Sequence, residues 1–238
     1  MTKKNKELTA EQKLSYQNDL VQMIAHDLKG SLMGVSSNLD LLVNSTKIPE
    51  LEKEIAQTAL EGSRELYEMV MDMLNLGKME AGALTLEKSL VNMGELAEKE
   101  VRKLAQLSDE KGVVIRLEKE GNLEAEADKK IMGRVIANFL SNGLKYSPPG
   151  KEVAVTLKEE DEYVKVLFRD KGPGVPPEYG DTVFDKYVQV EMRTHKREGA
   201  TGLGLPFCRM AVEAHRGQVG LNRLDEGSEF YFLIPKNG

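Results

Sequence analysis

His26 opens the first of four short groups of residues in this 238-residue sequence whose types and spacing could do chemistry. It lies in the stretch MIAHDLKGSL and is followed directly by Asp27. A neutral imidazole has a free ring-nitrogen lone pair near pH 7, because its reference pKa is about 6.5, so His26 could act as a nucleophile. Asp27 could orient the ring or accept its proton. Taken by itself, a histidine without a catalytic role explains the residue equally well.

The second group is NFLSNGLKYSPPG, in which polar side chains recur at helical spacing. Asn138 and Asn142 are four residues apart, so they share one helix face, and Lys145 and Tyr146 follow within the next turn. Amide oxygens suit a hard cation such as Mg²⁺ that keeps its waters and phosphate ligands, and a lysine can meet phosphate charge. Polar helix surface is the alternative for this group alone.

Glycines mark the third and fourth groups. In RDKGPGV, Asp170 follows a strand-like run and could accept a hydrogen bond from a ligand amine, while Gly172 and Gly174 let the backbone approach closely. In GATGLGLPFC, glycines precede a helical pattern and could present backbone N–H groups to an anion. Leu205 stands where a Walker loop needs lysine, and neither group has GxGxxG spacing. A polar turn is the alternative for RDKGPGV alone.

Two long amphipathic helices must carry the first group. Apolar residues recur in heptad-like runs over residues 14–43 and 51–76, with Pro49 at the start of the second run. At about 100° per residue, His26 lies roughly 150° from the centre of the first apolar stripe, near Leu28, and so faces outward. Long helices joined by a short loop form an antiparallel hairpin. Its apolar faces need a second copy, which predicts a dimeric four-helix bundle.

From residue 84 onward, amphipathic helices alternate with strand-like stretches. Helices are predicted at 93–112 and 128–146, the second with Asp128 as its N-cap, and strands at 113–118, 151–159, 162–170 and 228–235. This order predicts an α/β sandwich with a mixed sheet and helices on one face. The segment 173–202, rich in Gly, Pro and charge, is typical of a lid. The expected domains are a tail at 1–10, the hairpin at 11–84 and the sandwich at 85–238.

Composition limits the partners and the location. The formal net charge of −6 argues against general binding of nucleic acid, which usually requires a basic surface. No apolar run approaches the roughly 18 residues of a membrane helix, and the first residues lack the apolar stretch of a signal peptide. The single cysteine, Cys208, cannot form an intrachain disulfide. We therefore expect no membrane segment in this chain, no nucleic-acid partner and a cytoplasmic location, alone or as the cytosolic part of a longer sensor.

In this order, the four groups resemble the transmitter region of sensor histidine kinases of two-component systems. The matching motifs are the phosphoacceptor box around His26, the N box at 138–146, the first G box at 170–174, an F-box-like VFDKYVQV with Phe184, the second G box at 202–205 and the closing GSEF at 227–230. The resemblance covers nearly the whole chain. It implies a dimerisation and histidine-phosphotransfer hairpin followed by a catalytic domain of the Bergerat (GHKL) ATP-binding fold.

The resemblance also implies roles for individual residues. The adenine amine of ATP would bind Asp170, Mg²⁺ would bind Asn142, and a lid at 176–201 would close over the phosphates. The γ-phosphoryl group would pass to His26, with Asp27 as base or orienting carboxylate, and then to an aspartate of a response-regulator receiver on another chain. The implied nucleotide-binding residues are Asn138, Asn142, Lys145, Tyr146, Asp170, Gly172, Gly174, Val175, Tyr187, Thr201, Gly202, Leu203, Gly204, Leu205 and Phe230.

Several positions depart from the family pattern. Gln189 stands where an arginine is frequent, and Ala200 and Arg216 replace frequent glycines. Gly30 stands where the phosphoacceptor box commonly has the Thr or Asn credited with positioning a hydrolytic water, and Ser31 replaces a proline. We therefore expect weak or absent phosphatase activity toward the regulator, although Gly30 could instead avoid a clash with the docking partner.

Two other functions are compatible with parts of the pattern. One is a degenerate dimeric scaffold that binds nucleotide without transferring phosphate, which intact His26, Asn142 and Asp170 argue against. The other is a GHKL-type ATPase or serine kinase, which would not need the histidine hairpin. Acid-labile, alkali-stable label from γ-labelled ATP would distinguish the histidine kinase from both.

Overall fold

The computed structural model describes residues 10–80, 84–185, 188 and 202–237; within these ranges the side chains at 10–22, 24–27, 65, 68, 80 and 181 are not described. The chain divides into two compact units, Met1–Leu84 and Thr85–Gly238. The first consists of helix α1, Ala10–Val43, and helix α2, Glu50–Glu80. In the described part of the chain, no helix is long and apolar enough to cross a membrane.

The connection between α1 and α2 is short and ordered by local hydrogen bonds. The amides of Asn44 and Ser45 bond back to Asp40 and Leu42 as α1 ends, and the carbonyl of Pro49 accepts the first helical hydrogen bond of α2, from Lys53. Pro49 thus directly precedes α2, where its fixed φ suits a helix start. The two predicted helices and their short loop are confirmed.

The hairpin buries one set of apolar side chains and leaves another set exposed. Ala56 and Leu60 of α2 are 5% and 2% exposed. Across the helices, Ser36 Oγ lies 2.9 Å from Ser63 Oγ. In contrast, Leu28 and Val35, which belong to the predicted apolar stripe of α1, are 44% and 49% exposed. Exposed apolar residues at this spacing leave a face that one hairpin does not cover.

The second unit is built on a five-stranded sheet in the order β2-β4-β5-β7-β6. The strands are β2 Val114–Glu120, β4 Glu152–Glu160, β5 Tyr163–Arg169, β6 Gln218–Arg223 and β7 Ser228–Pro235. Strand β2 runs parallel to β4, and the other neighbours are antiparallel. The predicted mixed sheet is therefore confirmed. A separate antiparallel pair joins β1, Lys88–Asn92, to β3, Glu124–Asp128.

Helices cover one face of the large sheet. They are α3 Met93–Lys103, α4 Ala105–Lys111, α5 Lys129–Tyr146 and α6 Gly204–Ala214, with a 3-10 helix at Gly180–Phe184. Alternate residues of the central strands are buried beneath them, and their neighbours in sequence face the other side. Phe139 of α5 anchors this core, because its ring lies 5.0 Å from that of Phe168 and 5.8 Å from that of Phe230.

Three strands and one helix break differ from the sequence prediction. Strands β1, β3 and β6 were not predicted, because they are short and contain Glu, Ala, Gly or Asn, which have low strand propensity. The predicted helix 93–112 ends at Lys103, and a new helix begins at Ala105. Leu104 between them has φ −95° and ψ 5°, outside helical values. The apolar periodicity continues across this break, and the prediction of one continuous helix was therefore wrong.

Helices α5 and α6 are joined at the end of the domain where α5 begins. Asp128 is the N-cap of α5, as predicted: its Oδ1 accepts from the amides of Lys130 and Ile131 at 3.0 and 3.1 Å. The amide of Asp128 donates to Nε2 of His215, at the end of α6, over 2.9 Å. Burial lowers the pKa of His215, which keeps the imidazole neutral and Nε2 available as an acceptor.

Arg216 ends α6 in a conformation that glycine usually adopts. Its φ is 59°, in the left-handed region. The amide of Gly217 donates to the carbonyl of Val212 at 2.9 Å, which closes the helix end. The arginine therefore adopts a backbone conformation that glycine reaches without strain, at a cost of about 1 kcal/mol.

Candidate functional site

Asp170 follows β5 and is the most buried acidic group near the predicted motifs. It is 7% exposed. Its Oδ1 accepts from the amide of Gly172 at 2.8 Å and from that of Ser228 at 3.3 Å. Burial raises the pKa of this carboxyl above its ordinary value, and these two N–H groups partly oppose the increase. Both bonds end on Oδ1, and no other described residue donates to Oδ2, so that oxygen can accept from a ligand.

Glycines allow three backbone segments to meet at Asp170. A Cβ at Gly227, whose φ is 82°, would lie 2.0 Å from the carbonyl oxygen of Asp170. A Cβ at Gly172 would lie 2.9 Å from the carbonyl oxygen of Tyr146, and one at Gly174, whose φ is 78°, would lie 3.1 Å from that of Gly227. The close approach predicted for Gly172 and Gly174 is thus made first to neighbouring backbone. These glycines allow the start of β7 and the end of α5 to pack closely against the turn that carries Asp170.

The polar residues predicted on α5 lie on its partly exposed side. Asn138, Asn142, Lys145 and Tyr146 are all half-buried. Asn138 Nδ2 lies 3.5 Å from the carbonyl oxygen of Gly204, the first residue of α6. Lys145 Nζ lies 6.0 Å from the centre of the Tyr146 ring. Asn138 therefore brings the N-box helix and the second G box together.

The start of α6 supplies backbone N–H groups. Gly202 has φ 67°, and Leu203, 4% exposed, is the N-cap residue. Leu203 makes no side-chain cap to the helix, which begins at Gly204 and continues through the half-buried Leu205. The first N–H groups of a helix have no partner within the helix and carry a partial positive charge, so this end suits an anion.

Two predicted contact residues lie at different depths. Val175 is half-buried and, with Gly174 and Ser228, lines a cavity of about 250 Å³ between the Asp170 turn and the connection from β6 to β7. Phe230 is 8% exposed, and its ring lies 6.1 Å from that of Phe184, edge to face. Phe230 thus belongs to the aromatic core beneath the site.

Some predicted residues fall outside the described part of the chain. Tyr187 and Thr201 are among them, as are Gln189 and Ala200. The predicted lid at 176–201 is described only as far as residue 185 and at residue 188. His26 and Asp27 lie within α1, but their side chains are outside the described part.

Two serines at the site were not predicted from the sequence. The carbonyl oxygen of Ser228 accepts from the amide of Asp170 at 2.9 Å, and the amide of Ser228 donates to Oδ1 of Asp170 at 3.3 Å. Ser147, 6% exposed, directly follows α5, and its Oγ accepts from the amide of Lys171 at 3.3 Å. Ser228 directly follows Gly227, and Ser147 directly follows Tyr146. Their position next to these motif residues was the sequence feature that could have identified them as site residues.

These groups suit a ligand that combines an amine with anionic groups. A buried carboxylate oxygen can accept from the amine, and the start of α6 and Lys145 can meet negative charge. Among the described residues, no cluster of three or more His, Cys, Asp or Glu side chains could hold a metal ion. The amide oxygen of Asn142 is a ligand type that Mg²⁺ accepts.

Two family models match the chain, one to each unit. The model of the His Kinase A (phospho-acceptor) domain matches residues 16–82. The model of the histidine kinase-, DNA gyrase B- and HSP90-like ATPase matches residues 127–238.

Relatives of known name match over most of the chain. The adaptive-response sensory kinase SasA of Microcystis aeruginosa is 30% identical over 242 aligned residues, which cover 98% of this chain and 62% of SasA. The sensor protein SrrB of Staphylococcus aureus is 27% identical, over 92% of this chain and 38% of SrrB. The chain thus spans less than two thirds of the length of these relatives.

Solved structures give the same assignment. Full-length ShkA in complex with AMPPNP has a TM-score of 0.72 and 26% identity, over 91% of this chain and 45% of ShkA. The histidine kinase AdeS of Acinetobacter baumannii has a TM-score of 0.63 over 90% of this chain and 98% of AdeS, and at 20% identity it supports the fold alone. The chain thus carries a phospho-acceptor domain followed by a histidine kinase-type ATPase domain, and it resembles the sensor histidine kinases of two-component systems.

Proposed function

We propose that this chain transfers the γ-phosphoryl group of ATP to His26 and then to an aspartate of a response-regulator receiver domain. The observation that carries the proposal is the buried Asp170 carboxylate, which keeps one oxygen for a ligand amine at the point where β5, β7 and α5 meet. The relatives of known name are kinases and sensor proteins, and the ShkA structure contains an ATP analogue.

In the proposed nucleotide site, Asp170 accepts a hydrogen bond from the exocyclic amine of adenine. Gly172, Gly174 and Val175 lie beside the base, and Asn138 and Tyr146 lie along the nucleotide. Lys145 and the start of α6, from Gly202 to Leu205, face the phosphates, whose negative charge their positive potential stabilises. Tyr187 and Thr201 would complete the site, with Phe230 supporting it from the core.

Mg²⁺ is proposed to bind with the nucleotide at the Asn142 amide oxygen. A bound divalent cation offsets the negative charge of the phosphates during transfer. An amide and phosphate oxygens form a ligand set that Mg²⁺ accepts, since this ion keeps several waters and uses few protein ligands. Asn142 then serves to orient the β- and γ-phosphates relative to Lys145.

The transfer itself forms one bond and breaks one. A lone pair on a ring nitrogen of His26 attacks the γ-phosphorus, the bond from that phosphorus to the bridging oxygen breaks, and ADP leaves with the electron pair. Asp27 stabilises the positive charge on the ring or accepts its proton. In the second step an aspartate oxygen of the receiver attacks phosphohistidine, and His26 returns to its free form.

The hairpin is proposed to form a homodimer, since apolar residues of α1 and α2 remain exposed in the part of the chain that the structure describes. Leu28, Val35 and Leu42 of α1 are 44–49% exposed, and Leu66 and Met73 of α2 are 49% and 46% exposed. A second hairpin would remove this surface from water, which is favourable by about 25 cal/mol per Å² of apolar area. We also propose a cytoplasmic location, where ATP and a receiver partner are available.

Phosphatase activity toward the regulator is proposed to be weak or absent. Gly30 is exposed on α1 one turn after His26 and has no side chain that could hold a hydrolytic water. A Cβ at Gly30 would meet no described atom within 4 Å, so no described residue of the hairpin requires glycine there.

Substitution of His26 tests the proposed acceptor. We expect His26→Gln to lose all acid-labile, alkali-stable label from γ-labelled ATP, while ATP affinity and dimerisation stay within about twofold, since the reacting nitrogen is lost and the apolar face is kept. Met33→Gln, an exposed substitution on the same helix, is the control and should label normally. Histidine label that persists in His26→Gln would place the acceptor elsewhere, and no label in either protein despite ATP binding would favour a scaffold.

The metal assignment predicts a condition-dependent loss of affinity. Asn142→Ala should weaken ATP binding about tenfold in Mg²⁺ and leave it unchanged in chelator, because only the metal-bound complex uses the amide oxygen. Titration of the variant with ATP in both conditions measures this. Asn222→Ala, on the exposed part of β6, is the matched control. Equal losses with and without Mg²⁺ for Asn142→Ala would refute the metal role.

The phosphatase proposal is tested by adding a hydroxyl at the position in question. Decay of purified phospho-regulator with ADP should be unchanged by the wild-type protein and accelerated by Gly30→Thr. Gly34→Thr is the matched control, because a Cβ at Gly34 also meets nothing within 4 Å but lies one turn further along α1. Rapid decay with the wild-type protein, beyond back-transfer to His26, would contradict the proposal.

A further inference from the structure

Ser147 lies at the junction between α5 and the turn that carries Asp170. It is the C-cap residue of α5, with extended backbone at φ −71° and ψ 136°, and it is 6% exposed. Its amide donates to the carbonyl of Gly143 at 3.0 Å, and its Oγ accepts from the amide of Lys171 at 3.3 Å. The hydroxyl therefore connects the end of the helix to the peptide that directly follows Asp170.

This peptide is enclosed from two directions. On one side, Asp170 exchanges hydrogen bonds with the backbone of Ser228, at 2.9 and 3.3 Å. On the other side, Gly172 approaches the end of α5 so closely that a Cβ there would lie 2.9 Å from the carbonyl oxygen of Tyr146. On this second side, the Ser147 hydroxyl accepts from the Lys171 amide, which belongs to the peptide bond that links Asp170 to Lys171.

The side chain of Lys171 does not perform the same task. Its Nζ lies 3.5 Å from a carboxylate oxygen of Glu226, which also pairs with Lys151. Glu226 is 56% exposed, and exposed ion pairs contribute little. The Ser147 hydroxyl is buried, where loss of an acceptor leaves the Lys171 amide without its partner and costs far more. Of these two side-chain contacts at Lys171, the Ser147 hydroxyl thus contributes more to the orientation of the Asp170 peptide.

We propose that Ser147 is a positioning residue for adenine recognition: by holding the Lys171 amide, it aims the free oxygen of Asp170 at the exocyclic amine of the base. This inference rests on the proposed function. It has a specific consequence, because inosine triphosphate (ITP) carries a carbonyl oxygen where ATP carries the amine. A correctly aimed carboxylate rejects that oxygen, and a misplaced carboxylate rejects it less.

The test is the ratio of the Kd for ITP to the Kd for ATP, measured on the full chain. We expect Ser147→Ala to lower this ratio about five- to tenfold, as loss of one buried hydrogen bond at the recognition group would, and Ser147→Thr to keep it. Ser147→Cys, which keeps the size but is a weaker acceptor, should give an intermediate ratio and serves if Ser147→Ala does not fold.

Ser108→Ala is the matched control. Ser108 is also a buried serine near a helix end, and its Oγ donates to the carbonyl of Val113, away from the Asp170 turn. A purely structural role for Ser147 would lower the unfolding temperature in both alanine variants and leave both ratios at the wild-type value, which would overturn the proposal.

Asp170→Asn separates this proposal from the proposed function. If Asp170→Asn loses the preference for ATP and Ser147→Ala retains it, only the positioning role of Ser147 is refuted. If Asp170→Asn also retains the preference, the adenine assignment itself is wrong and both proposals fail. Loss of the preference in Asp170→Asn and Ser147→Ala, with Ser108→Ala unchanged, supports both.

Discussion

The burial of the Asp170 carboxylate is the constraint on which the rest of the second unit depends. An ionised carboxylate leaves water only if hydrogen bonds compensate it, and here two backbone N–H groups do so at one oxygen. Burial outweighs these two bonds, so the pKa of the carboxyl is still raised above its ordinary value. The free protein thus carries a local cost, which the proposed hydrogen bond from an adenine amine would relieve.

The helices that carry the remaining polar groups are fixed relative to each other at both ends. Near the site, Asn138 of α5 contacts Gly204 of α6, and at the far end His215 of α6 accepts from the amide of Asp128. The side chain of Asp128 also accepts from the amide of Glu87, which leads into β1. A shift of α5 would therefore move the side-chain amides of Asn138 and Asn142, the start of α6 and strand β1 together.

Sequence patterns predicted the parts of this fold that have strong local signals. The Asp128 cap, the long helices and the apolar central strands were correct, because periodicity and capping are local properties. The strand β3, EAEAD, exists only because it pairs with β1, a contact that no local pattern reveals. Ser147 was missed for a similar reason, since its partner, the Lys171 amide, is 24 residues away.

The most direct test of this account is the stability of nucleotide-free Asp170→Asn across pH. A carboxyl whose pKa is raised by folding contributes stability below its unfolded-state pKa of about 3.8 and loses it as the pH rises through the folded-state value. Asparagine can accept the same two N–H bonds without the charge. Thermal unfolding from about pH 4 to about pH 8 should show the variant more stable than wild type near pH 7, with the advantage shrinking in acid. A variant that is less stable by the same amount at every pH would contradict the account.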